Sequence, residues 1–360
     1  MRPALKPGLT PVWRDRDTLQ IGIDSRRAVA LTGMAGIAWV ISLLDGSRER
    51  AQVIEAAAHR GVPAETAERL LALLASAGAL DDFPAVTLRA LSQPLRARLA
   101  AELATVSLAR ADCDGGARTL ARRLAAQVRI HGSGRVAGGI ASLLTTSGVC
   151  CVTHADPAGE EAGSPGSPSP PPPAAPPPAI TPCAATSATA PPAATRSPPP
   201  SAAASPRVAP ASAARPDLVV LTARHVPELQ AELMRDQVPH LVVSASEAIG
   251  IVGPLVMPGR TACLRCLDLF RTDHDPAWPL ILAQLAGRPP GPLSCDAPLA
   301  AAVAAQATSQ ALAFIDRAPS ALAVTNGTLE LVLPGWQWRR RTWPPHPECS
   351  CGSHTRATCD

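Results

Sequence analysis

Lysine is almost missing from this sequence: Lys6 is the only one, so 32 of the 33 basic residues are arginine. Chemistry that needs a lysine anywhere after residue 6 is therefore closed, which excludes a P-loop lysine and a Schiff base. Aromatics are scarce as well, with 6 Trp, 3 Phe and no Tyr, so the cores must come from Ala, Leu and Val. Excess charge is lacking too. The balance of 33 basic and 29 acidic residues leaves +4, short of the basic stripe of a nucleic-acid-binding chain, and no nucleic-acid partner is expected. The opening MRPALKPGLTPVWRDRD has no apolar segment of the secretory kind. A cytoplasmic, reducing setting is expected, in which clustered cysteines point to metal before disulfides. One apolar run, residues 28–44, follows Arg26-Arg27 but is 17 residues long, against the roughly 20 of a bilayer-spanning helix. Gly33 and Gly36 split it into a strand-like AVALTG and a helix-like IAWVISLL, so it reads as core rather than as a membrane anchor.

What is abundant is proline and alanine in one place. Residues 161–216 hold 18 Pro and 17 Ala in 56 positions, a composition that cannot bury enough apolar surface to offset its ordering entropy. A disordered, semi-stiff insertion in a surface loop is expected there, with partner binding through the PPPP run as the other reading. The 360 residues accommodate two or three domains of about 100–200 residues. Residues 1–82 show short extended stretches (VWRDRD, LQIGI, AVALTG) and helical patterns at about 36–44, 47–60 and 63–78. That is a winged-helix outline. A Leu/Ala/Arg-rich helical connector is expected over 83–126. Residues 127–160 open a β-α-β unit, VRIHGSGRVAGGIASLL into VCCV, and the same grammar resumes over 217–360 with DLVVL and HLVVSAS. The tract thus interrupts one α/β domain with a mainly parallel sheet.

Three groups of residues carry chemistry. The turn Gly132-Ser133-Gly134-Arg135-Val136-Ala137 lies between strand and helix, where glycines let backbone N–H groups approach a phosphate. Asp156, after the second strand, is the ribose-binding candidate, and Arg135 is the cation available to phosphates. The same turn also fits strand–helix packing with no nucleotide. Cys263 and Cys266 in a C-x-x-C, with Cys349 and Cys351, form a set suited to structural zinc, and His346, His354 or Cys359 are alternatives for one ligand. A redox role for the C-x-x-C lacks a thioredoxin-like start before it. Cys295 in LSCDAP has no histidine nearby in sequence and reads as a small buried residue. Trp336, Trp338 and Trp343 around Arg339-Arg340-Arg341 suggest either base stacking or a last strand with one polar face.

Taken together, RIHGSGRVAGGIASLL, PDLVVL, VGPLVMPGRTACLRC and the later HPECSCG resemble the ThiF-type branch of the ubiquitin-activating-enzyme superfamily. The resemblance is strongest to the leader-peptide-binding, cyclodehydratase-like proteins of thiazole/oxazole-modified microcin clusters. It implies a Rossmann-like domain with structural zinc, preceded by a winged-helix-like peptide-recognition element. It also implies a role, presenting a precursor (leader) peptide to a YcaO-type cyclodehydratase, with the peptide added as a strand beside AVALTG and the 63–78 helix. Homodimers are common in that superfamily. Adenylating members use ATP with a lysine and arginines on the phosphates and an Asn-Arg-Gln-type segment after the second strand. Here the lysine is absent and the tract occupies that segment, so a non-adenylating descendant is expected, with an ATP-dependent adenylyltransferase as the alternative.

Overall fold

The computed structural model describes residues 1–83, 88, 91–110, 112–155, 215–222, 227–286 and 295–353. Residues 161–214 of the Pro/Ala tract lie outside the described residues.

Five short strands occupy the N-terminal part: β1 (Pro3–Leu5), β2 (Pro11–Trp13), β3 (Leu19–Ile21), β4 (Val29–Leu31) and β5 (Leu80–Asp82). β2, β3 and β4 form an antiparallel sheet in that order, with β4 on its edge. The β1–β5 pair was not expected, because PAL and LDD show neither alternation nor β-branched residues to mark them. Helix Ala64–Ser76 falls where the Leu spacing predicts it and buries Ala67, Leu70, Leu71 and Leu74 on one face. Gly78, at φ +66°, follows its C-terminus, a conformation a Cβ would strain. Helix Arg50–Ala58 begins on a capping box between Glu49 and Gln52. The expected helix at 36–44 is instead a six-residue 3-10 helix, Ala38–Leu43. Gly36 enters it at φ +77°, and the stretch carries Trp39, Val40 and Ile41, which are poor helix formers. Val40 and Ile41 join Leu31, Met34, Leu70, Leu71 and Leu74 in one core, so the apolar run 28–44 is interior packing.

Lys6 is central to this unit. It is 3% exposed, and its Nζ donates to the carbonyl oxygens of Ser107 and Arg110 while lying 3.6 Å from Asp81 Oδ1. Ser107 Oγ donates to the other oxygen of Asp81. One ion pair therefore fastens β1 and β5 to the connector helix Ala100–Ala109. Helices Gln93–Arg98 and Ala117–Ala125 also lie in this stretch. It docks on the next unit through buried Asp316, which takes bonds from Arg123 (2.8 and 2.9 Å) and Arg110 (3.1 Å).

That next unit is a seven-stranded sheet: β6 (Gln127–His131), β7 (Cys151–Ala155), β8 (Leu218–Leu221), β9 (His240–Ser246), β10 (Ile249–Val256), β11 (Gly327–Val332) and β12 (Gln337–Thr342). Their order is β12-β11-β10-β9-β8-β6-β7. β7, β6, β8 and β9 are mutually parallel, and β10, β11 and β12 alternate, so five of the seven run one way. The architecture is α/β with a mainly parallel sheet. β7 precedes the Pro/Ala tract and β8 follows it, yet both pair with β6. Helices Gly134–Thr146 and Ala297–Ile315 cover one face, over a core including Val128, Ile130, Ile140, Leu241, Val252 and Val303. The packing is close enough that a Cβ on Gly250 would overlap Val303, and one on Gly139 would lie 2.9 Å from Ala304 Cβ. Helix Ala297–Ile315 is the one helix among the described residues with the length and apolarity to cross a bilayer, and 56% of it is buried in this core.

Replacing Lys6 by Met leaves Asp81 as an uncompensated buried charge and should cost about 3–5 kcal/mol in chemical denaturation. Adding Asp81→Leu should recover most of that loss, and a Lys6→Met variant as stable as the parent would contradict the pairing.

Candidate functional site

The four cysteines arrive from two distant segments. Cys263 caps helix Leu264–His274, Cys266 lies in its first turn, and Cys349 and Cys351 sit in a turn close to the C-terminus. Sγ atoms of Cys263 and Cys266 are 3.8 Å apart, Cys263 and Cys349 3.6 Å, and Cys266 and Cys351 3.6 Å. All four lie within 4.8 Å of one another. These separations are far beyond an S–S bond of about 2.05 Å. The three separations of 3.6 to 3.8 Å match the edge of a tetrahedron with metal–sulfur bonds of about 2.3 Å, which is about 3.8 Å. Cys263, Cys266 and Cys349 are buried, packed with Val256, Ala262, Leu267 and Trp343. The donor set fits a metal ion with thiolate preference.

Crowding couples the thiols. Cys266 is held down to about 4, chiefly by the hydrogen bond from Cys263, and that same bond, with burial, pushes Cys263 up. Burial pushes Cys349 up to about 11. A bound cation would remove this conflict by favouring thiolate at every sulfur. His346, weighed as an alternative ligand, is otherwise engaged. Its Nε2 lies 3.0 Å from Asp273 Oδ2, its Nδ1 accepts from the Glu348 N–H, and its ring stands edge-on to Phe270. His354 and Cys359 lie outside the described residues. The bracing groups had no sequence signal: Ala262 N donates to Asn326 Oδ1 (2.8 Å), and Ser353 Oγ donates to the Thr261 carbonyl (2.7 Å). The second bond joins the two cysteine segments across 92 residues, and the first ties the Cys263 segment to the residue before β11, 64 residues away.

The glycine turn forms at the C-terminal end of β6. Gly132 and Gly134 have φ +113° and +89°, which bulkier residues rarely adopt. Ser133 caps helix Gly134–Thr146 without a side-chain bond to it, and Ser133, Gly134 and Arg135 are exposed. Gly132 N donates to the Ala155 carbonyl at the end of β7, and Thr222 N, just past β8, to the His131 carbonyl. The turn therefore sits beside the junction of β6 and β8, whose connections lead to β7 on one side and to β9 on the other, the usual ligand position in such sheets. Asp156 lies outside the described residues. Lys6, engaged at Asp81, is not a turn residue, so Arg135 is the one cation the turn itself contributes. Cys295 is no activated nucleophile: burial, then neighbouring Asp296, push its thiol up, against a smaller opposing pull from Arg135. Asp296 itself caps helix Ala297–Ile315 by accepting from Leu299 N.

Of the three tryptophans near the end of the chain, Trp343 is buried with its Nε1 donating to Thr328 Oγ1, and Trp338 packs on the main core. Only Trp336 remains exposed, which removes the base-stacking reading and leaves a last strand.

The fold and both sites define an α/β protein with a mainly parallel sheet, a glycine turn at the C-terminal end of β6 and a four-cysteine cluster. No family model and no curated protein match the chain. Solved structures do. MccB of E. coli, in complex with AMPCPP and selenomethionine MccA, superposes with a TM-score of 0.59 at 11% identity, covering 98% of this chain and 100% of that one. The microcin C7 biosynthetic enzyme MccB with N-formylated MccA gives 0.57 at 12%, covering 98% and 100%. The heterocyclase TruD gives 0.58 at 16%, covering 98% of this chain, which spans 43% of the length of TruD. At such identities the likeness is one of fold, and it agrees with the ThiF-type resemblance carried by the glycine turn and the cysteine motifs.

Elemental analysis of purified protein should find one metal ion per chain. A Cys263→Ser/Cys266→Ser pair should lose it and be destabilised by on the order of 3 kcal/mol or more. Full metal content and stability in that pair would refute the cluster as a metal centre.

Proposed function

We propose that this chain binds a precursor peptide and presents it to a YcaO-type azoline-forming enzyme in the cytoplasm, without adenylating anything itself. The observation that carries the reading is the placement of Lys6. The chain's only lysine is buried against Asp81, Ser107 and Arg110, leaving Arg135 as the turn's own cation. Acyl-adenylate formation depends on several donors held against triphosphate charge, and one exposed arginine is a poor substitute. The glycine turn is then an inherited strand–helix junction.

The four cysteines would hold zinc. Four thiolate ligands leave no open position, so the ion would act structurally, fastening the turn at 349–351 to the exit of β10. The N-terminal unit would serve as the winged-helix-like recognition element. Among the described residues, β4 is bonded only on its β3 side. Gly22 N donates to the Thr10 carbonyl, so by two-residue alternation Ile21 and Leu19 face β4, and Ala30 turns its N–H and C=O outward. A peptide adding there would gain main-chain bonds, with side-chain pockets setting register. That MccB was solved with MccA, and TruD is a heterocyclase, supports a peptide as the ligand. Two features favour the second reading, an ATP-dependent adenylyltransferase: Gly132 and Gly134 have positive φ at a helix start, as a phosphate-binding turn would need, and MccB, covered over its full length, was solved with AMPCPP.

Fluorescence anisotropy with labelled precursor peptides encoded beside this gene tests the proposal. Saturable binding is expected, weakened at least about tenfold by Ala30→Pro, which removes one edge N–H while sparing the fold. No binding by any such peptide, or binding indifferent to Ala30→Pro, would contradict it.

A further inference from the structure

We infer a second docking edge: the β12 strand takes up an acidic, extended segment of another protein as an additional strand. This goes beyond the peptide-presenting role and does not depend on it.

Among the described residues β12 is the outermost strand of the seven-stranded sheet, paired only with β11. Every residue in it except the half-buried Trp338 is exposed. Trp343 N donates to the Asn326 carbonyl, so alternation directs the N–H groups of residues 341, 339 and 337 inward to β11. Trp338, Arg340 and Thr342 therefore turn their main-chain N–H and C=O groups outward, a template for a further strand. The side chains add a sign. Arg339 and Arg341 share the face away from the main core, and Arg341 lies 4.2 Å over the Trp343 ring. On the other face, Arg340 donates to the carbonyls of Ala323 and Thr325 and to Thr342 Oγ1. Among the described residues, none of the three guanidinium groups forms an ion pair. Glu330, opposite Arg339, accepts from Thr328 instead. Exposed Trp336, at the turn before β12, offers an aromatic anchor beside the cations, and Trp and Arg are the residues that dominate interface energies.

These features choose the occupant. Three consecutive cations repel a second copy of the same edge, so self-pairing is disfavoured. An outward-facing main-chain ladder is of no use to a nucleic acid, whereas an acidic strand satisfies both the ladder and the charges.

The test uses the full-length protein and a labelled peptide of alternating Glu and Val, with a Lys–Val peptide and a single-stranded oligo-dT as comparisons. The Glu–Val peptide should bind, and the Lys–Val peptide should not. Arg339→Glu/Arg341→Glu should weaken binding at least about tenfold, two reversed cross-strand charges being involved. Thr342→Pro, which keeps the charges but removes an outward N–H, should weaken it as well, and peptide should slow hydrogen exchange at Arg340. Absence of Glu–Val binding would overturn the inference. So would oligo-dT binding as tightly, with loss on charge reversal and indifference to Thr342→Pro.

Discussion

A single buried ion pair sets the terms for this molecule. Lys6 and Asp81 meet inside the N-terminal unit, and the peptide carbonyls of Ser107 and Arg110 complete the lysine's donors. The pair joins the first and last strands of that unit to the connector, which in turn grips Asp316 through three arginines. Burying the amine is worthwhile only because its donors are satisfied, and breaking either side would strand a charge. The same burial has a chemical consequence. A sequence that spends its only lysine on architecture has none for a triphosphate.

The second constraint is the cysteine cluster, which closes the far end of the α/β unit. Strand β10 leads into the MPGRT turn, the turn places Cys263 at a helix start, and Cys349 and Cys351 return from beyond β12. Because the sulfurs already lie at tetrahedral edge lengths, a cation there would stiffen existing geometry rather than create it. The glycine turn lies at the C-terminal end of β6, with Ser133, Gly134 and Arg135 open to solvent. The Pro/Ala tract lies in sequence between β7 and β8, the two strands that flank β6.

Much of this was legible beforehand, where local chemistry and tertiary demand agreed. The glycine turn, the C-x-x-C with its distant partner pair, and the leucine face of the 64–76 helix each declare themselves by spacing. What the sequence concealed depends on long-range partners. PAL and LDD become β1 and β5 only because the pair around Lys6 and Asp81 brings them together. The 38–43 segment looks helical by hydrophobicity, yet Gly36 and its β-branched neighbours leave it 3-10. Asn326 and Ser353 brace the cysteine loops through contacts that no periodicity records. Nothing in the sequence marks Asp316 as the socket for the connector.

The central claim, that the α/β unit does not activate a carboxylate, is open to direct measurement. Exchange of radiolabelled pyrophosphate into ATP, measured with magnesium and the cognate peptide present, addresses it directly. No exchange above the protein-free background is predicted. Robust exchange that falls away in an Arg135→Ala variant would show that arginine has taken over the lysine's task, and the scaffold reading would fail.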